Sequence, residues 1–140
     1  MTGKLDDLHP VTGALRDRAL ESHRRNLAES RRIAAEVAEI DALRRAAQSD
    51  WAGLGAHRML GADRLWNGWL LNRRASLLQQ AAMARAREHD SQAAARTALA
   101  RHDALEDLAR QQADERRQTR DRAATERLQA LGILNAGGEG

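Results

Sequence analysis

Apolar residues recur along most of this chain at helical spacings, and the second half shows it best. Leu70, Leu77, Ala84, Ser91, Ala98 and Leu105 return every seven residues, with Arg73, Ala81, Ala94 and Leu108 near the alternate positions. A sustained seven-residue step predicts a coiled-coil seam. In the first half, Ile33, Val37, Ile40 and Leu43 are spaced by four, three and three, with Ala47, Trp51 and Leu54 beyond them. Leu20, Leu27 and Ala34 follow a step of seven, offset by one position. The stripe therefore drifts, as expected of an imperfect heptad.

Breaks in this pattern define the elements. Gly53, Gly55 and Gly61 cluster between the two periodic stretches and predict a turn over about residues 52–62. A first helix is expected from about Val11 to Trp51 and a second from about Ala62 to Leu131, with Gly68 tolerated inside it. Residues 1–10, ending at His9-Pro10, read as a flexible lead, and residues 132–140 as a flexible tail. The fold class is all-α: two long helices forming an antiparallel coiled-coil hairpin over residues 11–131, the second helix longer and protruding. Folding about the turn brings Val37 near Leu77 and Val11 near His102. Past that point the second helix has no intrachain partner, and residues 111–121 are polar on every face.

Composition supports this reading. The chain has no Phe or Tyr and three Trp, at 51, 66 and 69, so its core must rely on Leu, Ile, Val and Ala. Disorder, the competing reading of a charge-rich chain, is disfavoured by the abundance of strong helix formers and by a single Pro, Pro10. The net charge is +3, and residues 1–60 hold 10 basic and 9 acidic groups against 13 and 11 in residues 61–140. Neither part is a basic block, which argues against nucleic-acid binding. The chain lacks Cys, which removes disulfides and thiolate metal sites. Residues 1–7 form no apolar signal segment, and no run approaches membrane-spanning length, so a cytoplasmic location is expected.

The polar residues carry no recognisable catalytic, metal or cofactor motif. His9, His23, His57, His89 and His102 are scattered, and none is spaced from another for helical metal binding. His89-Asp90 and His102-Asp103 repeat a dipeptide, but one helix cannot supply the further ligands of a His-Asp phosphohydrolase, so both read as solvated faces. Two apolar groups and one charged stretch remain. Trp51, Leu54, Trp66, Trp69 and Leu70 are expected to close the hairpin tip into a small core. Leu71 and Leu78 point about 100° away from Leu70 and Leu77, which suits a partner or self-association face. The uncovered part of the second helix, with Leu99, Leu105, Leu108, Arg110, Arg116, Arg117 and Arg120, is the expected partner-binding end, its guanidinium groups suited to bidentate contacts with acidic loops.

The layout resembles a known family. Residues 14–20, 26–32 and 40–43, residues 65–74 with 77–80, and residues 95–108 followed by Glu115-Arg116-Arg117 and residues 122–128 are similar to the helices of the flagellar export protein FliJ family and its YscO-like type III secretion relatives. The similarity spans about residues 11–131. It implies a non-enzymatic, cofactor-free stalk that contacts a hexameric export ATPase, the export gate protein and export chaperones, is monomeric alone, and reaches the inner-membrane export apparatus only through partners. The alternative is a homodimeric structural or regulatory coiled coil with no secretion role. A third reading, a nucleic-acid-associated helical protein, would show steep salt dependence of binding.

Overall fold

The computed structural model describes residues 3–53 and 60–138, with side chains given for residues 3–49 and 63–138. They form two α-helices, α1 (Gly3–Gly53, 51 residues) and α2 (Leu60–Gly137, 78 residues), and among the described residues there is no strand. The two helices pack against each other in antiparallel sense, with α2 the longer, as the seam predicts. The middle of the expected turn, including Leu54, lies outside the described residues, as does the side chain of Trp51.

Two differences from the sequence reading concern the ends. The expected lead is helical from Gly3, and α2 runs on to Gly137, into the expected tail. Pro10 sits inside α1. Having no N–H, it forfeits the hydrogen bond to the Asp6 carbonyl. The turn is held nonetheless by contacts from its neighbours: His9 lies 3.4 Å from Glu106, and Thr12 lies 3.0 Å from His102.

The contacts divide the chain into two units, one of residues 16–97 and one of residues 1–15 with 98–140. In the first, as the number rises along α1 it falls along α2: His23 meets Ser91, Asn26 meets Arg87, and Glu36 meets Arg73. The core is Ile33 and Ile40 from α1 with Leu70, Leu77 and Ala84 from α2, flanked by Val37 and Ala81. Each pair of neighbours on a helix is seven apart, and burying a side chain such as Leu70 or Leu77 contributes about 1.5–3 kcal/mol.

Covered positions of this unit form an unbroken heptad. On α1 its positions are Arg16, Ala19, His23, Asn26, Ser30, Ile33, Val37, Ile40, Arg44 and Ala47; on α2, Asn67, Leu70, Arg74, Leu77, Ala81, Ala84, Glu88, Ser91 and Ala95; Leu27, Glu29, Glu36, Asp41, Asp63 and Gly68 beside them are also half-covered. Steps of three and four alternate throughout, the spacing of a two-stranded coil. Of the offset stripe expected on α1, only Leu27 is half-covered. Polar residues occupy the seam at positions 23, 26 and 30, and the apolar Leu20 and Ala34 beside them are exposed. Likewise Arg73 and Ala94 lie outside the seam, with Arg74 and Ala95 inside.

Polar layers in this seam are mostly satisfied. The Ser91 hydroxyl donates to the Glu88 carbonyl at 3.0 Å, so His23 Nδ1–H donates to Ser91 Oγ at 2.8 Å. Asn26 Nδ2 donates across the seam to the Arg87 carbonyl at 3.2 Å. Only the Ser30 hydroxyl is buried with no partner among the described residues. Ion pairs close the flanks: Arg73 with Glu36 at 3.1 Å and Arg74 with Asp41 at 2.9 Å. Arg32 bridges Glu29 and Glu36 along α1, and its hydrogen bond holds the Glu29 carboxyl below its ordinary value.

Candidate functional site

The second unit carries the features that the packing of the first does not use. Its own covered positions include Leu5, Thr12 and Gly13 from α1, and Ala98, Leu99, His102, Leu105, Glu106, Ala109 and Gln112 from α2. Gly13 faces the His102 ring, which an added Cβ would meet at an ordinary contact distance of 3.6 Å. Beyond Gln112 every α2 residue as far as Gly138 is exposed except the half-covered Ala123. The heptad positions of α2 also change character here. They would next fall on Arg116, Thr119, Ala123 and Glu126, a stripe too polar to bury.

This uncovered arm, residues 113–137, extends for roughly 37 Å at the α-helical rise. Arg116, Arg117 and Arg120 are exposed on it, and among these Arg117 pairs with Asp114 at 3.7 Å. Arg110 precedes the arm and is engaged by Glu106 and Asp107 at 3.8 and 3.6 Å. Leu128, Leu131, Ile133 and Leu134 add exposed apolar surface near its end.

The sequence-predicted partner residues thus separate. Leu108, Arg110, Arg116, Arg117 and Arg120 are exposed as expected, and Leu71 and Leu78 are exposed on the first unit. Leu99 is half-buried. Leu105 is 8% exposed, so it is a seam residue and not a free contact. The heptad places Leu105 and Ala109 inside, which leaves Leu108 outside.

The expected tip core is corrected in two members. Leu70 is fully buried, but Trp66 and Trp69 are 45% and 55% exposed. The reason is register: the seam passes through Asn67 and Leu70, so positions 66 and 69 fall to its sides. Their indoles stack on each other, with centroids 5.4 Å apart and planes inclined by 12°. Trp69 also borders a shallow groove with Ile40, Leu43 and Leu77, which makes it a partial lid over the core.

A third feature was not visible in the sequence. His102 is 2% exposed, not on a solvated face. Its Nε2 lies 3.1 Å from Glu106 Oε1, and His9 Nε2, from α1, lies 3.4 Å from the same oxygen. The hydrogen bond from His9 holds the Glu106 carboxyl below its ordinary value, with the charges of His102, His9 and Arg110 acting in the same direction. The sequence signal was weak, since His102 and Glu106 show helical i,i+4 spacing but the third group lies 97 residues from Glu106.

Among the described residues no helix is long and apolar enough to cross a membrane. The molecule these observations define is an antiparallel helical hairpin with polar layers in its seam and an uncovered extension of one helix. No family model, curated protein or solved structure matches the chain.

Proposed function

We propose that this chain is a non-enzymatic coiled-coil component of a flagellar or related type III protein export apparatus, acting on the cytoplasmic side as a stalk for the export ATPase ring. The observation that carries the reading is the uncovered arm of α2. A helix that outlasts its intrachain partner, and whose seam positions turn from Leu105 to Arg116 and Thr119, is built for contact outside the chain. Arg116 and Arg120 lie one helical turn apart and present planar guanidinium groups to acidic loops. The resemblance of residues 11–131 to the flagellar export family supplies the class of partner: the ATPase hexamer, with the export gate protein and export chaperones as further contacts.

The test is stimulation of the export ATPase by the full chain and by a variant carrying Arg116→Glu, Arg117→Glu and Arg120→Glu. All three positions are exposed, so the helical content should be unchanged. The proposal expects binding and stimulation to be lost. Equal stimulation by both proteins would remove the arm from the interface and shift attention to the Leu71 and Leu78 face.

One observation favours a second reading, a homodimeric coiled coil. Leu128, Leu131 and Leu134 recur every three residues and are all exposed on the arm. Sedimentation equilibrium decides: a stable dimer that Leu128→Lys with Leu131→Lys dissociates supports self-association, and a monomer at all concentrations excludes it.

A further inference from the structure

We propose that His9, His102 and Glu106 form a binding site for a divalent transition-metal ion of the zinc class, clamping the start of α1 to α2. Each of the three residues offers one ligand atom, and those atoms all lie within 4.8 Å of one another. Two of the three edges, 3.1 Å from His102 to Glu106 and 3.4 Å from His9 to Glu106, suit a tetrahedral ion. With metal–ligand bonds of about 2.0–2.1 Å, adjacent ligands of such an ion stand roughly 3.4 Å apart. Two imidazoles and a carboxylate form a ligand set of the kind zinc takes when a fourth position is left to water.

One tautomer of His102 leaves room for a cation in the hydrogen bonds around it. The Thr12 hydroxyl donates to the His9 carbonyl at 3.1 Å. With that proton on the carbonyl, the hydroxyl accepts from His102 Nδ1–H at 3.0 Å; in the opposite tautomer Thr12 donates to Nδ1 and Nε2–H donates to Glu106. In the neutral ring the first tautomer leaves Nε2 as a bare lone pair, facing the carboxylate oxygen of Glu106 at 3.1 Å. Two acceptors at that distance repel unless a proton or a metal ion stands between them. In that tautomer Thr12 plays the orienting role that outer partners of metal-bound histidines supply, fixing the ring direction. Arg110 approaches the other carboxylate oxygen, Oε2, at 3.8 Å, which leaves Oε1 to the ion. His102 is buried, whereas His9 is about half exposed, so the site has both a rigid base and an open entrance.

The experiment uses the untagged full chain, stripped with chelator, and titrates it with Zn²⁺ by calorimetry and with Co²⁺ by visible absorption. One ion per chain at micromolar concentrations is expected, with the intense d–d bands of tetrahedral Co²⁺ and a rise in Tm. His9→Ala, at an exposed position, and Glu106→Gln should each leave the apo protein folded and weaken binding by roughly tenfold or more. Absence of saturable binding would overturn the proposal and leave a proton as the bridge. Binding that survives both substitutions would overturn it too, because the ion would then sit on other histidines.

Discussion

Thr12 and His102, separated by 90 positions in the chain, meet across the seam at 3.0 Å. The contact matches the placing of Val11 near His102 expected from the turn, and just before it His9, in the expected lead, is held by Glu106 at 3.4 Å. It belongs to a wider pattern in which polar pairs alternate with apolar layers, and the consequences can be measured.

Leu70 and Leu71 are adjacent but sit on opposite sides of the packing boundary, one fully buried and one half exposed. Leu70→Ala should destabilise the protein by about 2–5 kcal/mol through lost burial and a residual cavity. Leu71→Ala should fall within about 0.5 kcal/mol of the parent. Urea unfolding followed by far-UV circular dichroism separates the two. Equal effects would contradict the register.

His23 and Ser91 form a single polar layer in the same unit. Ser91→Ala should cost about 1 kcal/mol, because the His23 N–H loses its acceptor in a half-covered position. The double replacement His23→Leu with Ser91→Ala should recover that loss or exceed it, since apolar isosteres often stabilise a buried polar pair. A double variant less stable than either single one would show that the layer contributes more than its hydrogen bond.

Backbone substitutions in α1 and α2 should raise stability. Gly68 has open space around its Cβ position, and Gly13 has an ordinary contact at 3.6 Å. Ala at either position should add roughly 0.5–1 kcal/mol by restricting the unfolded chain. Pro10→Ala restores a helical hydrogen bond and should stabilise by up to about 3 kcal/mol. Thermal midpoints report all three, and a lowered midpoint for Pro10→Ala would mean that the ring is required where it stands.

Acid stability should depend in part on Glu29. Its carboxyl is held below the ordinary 4.5, first by the Arg32 hydrogen bond, so the folded state binds its proton less readily than the unfolded one. The contribution is therefore present above pH 4.5 and lost as pH falls through the lower folded value. Glu29→Gln should flatten the stability profile in that acid window and leave its shape above pH 6 unchanged, roughly two units clear of the titration. An unchanged acid limb would show that Arg32 is engaged by Glu36 alone.

A covalent test addresses the pairing itself. Cys at positions 36 and 73, where the long side chains of Glu36 and Arg73 meet tip to tip at 3.1 Å, should be joined within one chain in dilute solution by a bifunctional thiol reagent long enough to replace those side chains. Cross-links that form only between chains would replace the intrachain pairing with a dimer.

The parts of the fold that were legible in sequence are those where the seam is apolar. Leu70, Leu77, Ala84, Ala98 and Leu105, with Ile33, Val37, Ile40 and Ala47, all occupy covered positions. Reading by hydrophobicity failed where the seam is polar. At His23, Asn26 and Ser30 it selected the exposed neighbours Leu20 and Ala34, and on α2 it slipped one position to Arg73, Ala94 and Leu108. Trp66 and Trp69 were misplaced for a related reason, because size suggested a core whereas angle puts them beside it. The turn already placed Val11 near His102, but the grouping of His9 with His102 and Glu106 also needs the side chains that face each other across the two helices. Local spacing on one helix carries no such information.

The layer formed by His23 and Ser91 also bears on how the helices find each other. Apolar layers built from Leu, Ile and Ala look alike at every seventh residue, so a nascent pair can zip together one repeat out of step at little cost. Such a slip would set His23 against Ala84 and strand the imidazole N–H, while the Ser91 hydroxyl keeps its bond to the Glu88 carbonyl on its own helix. A mis-set pair is thereby made short-lived and returns to the search, so that the layer works as an error check on assembly as well as a contact in the finished molecule.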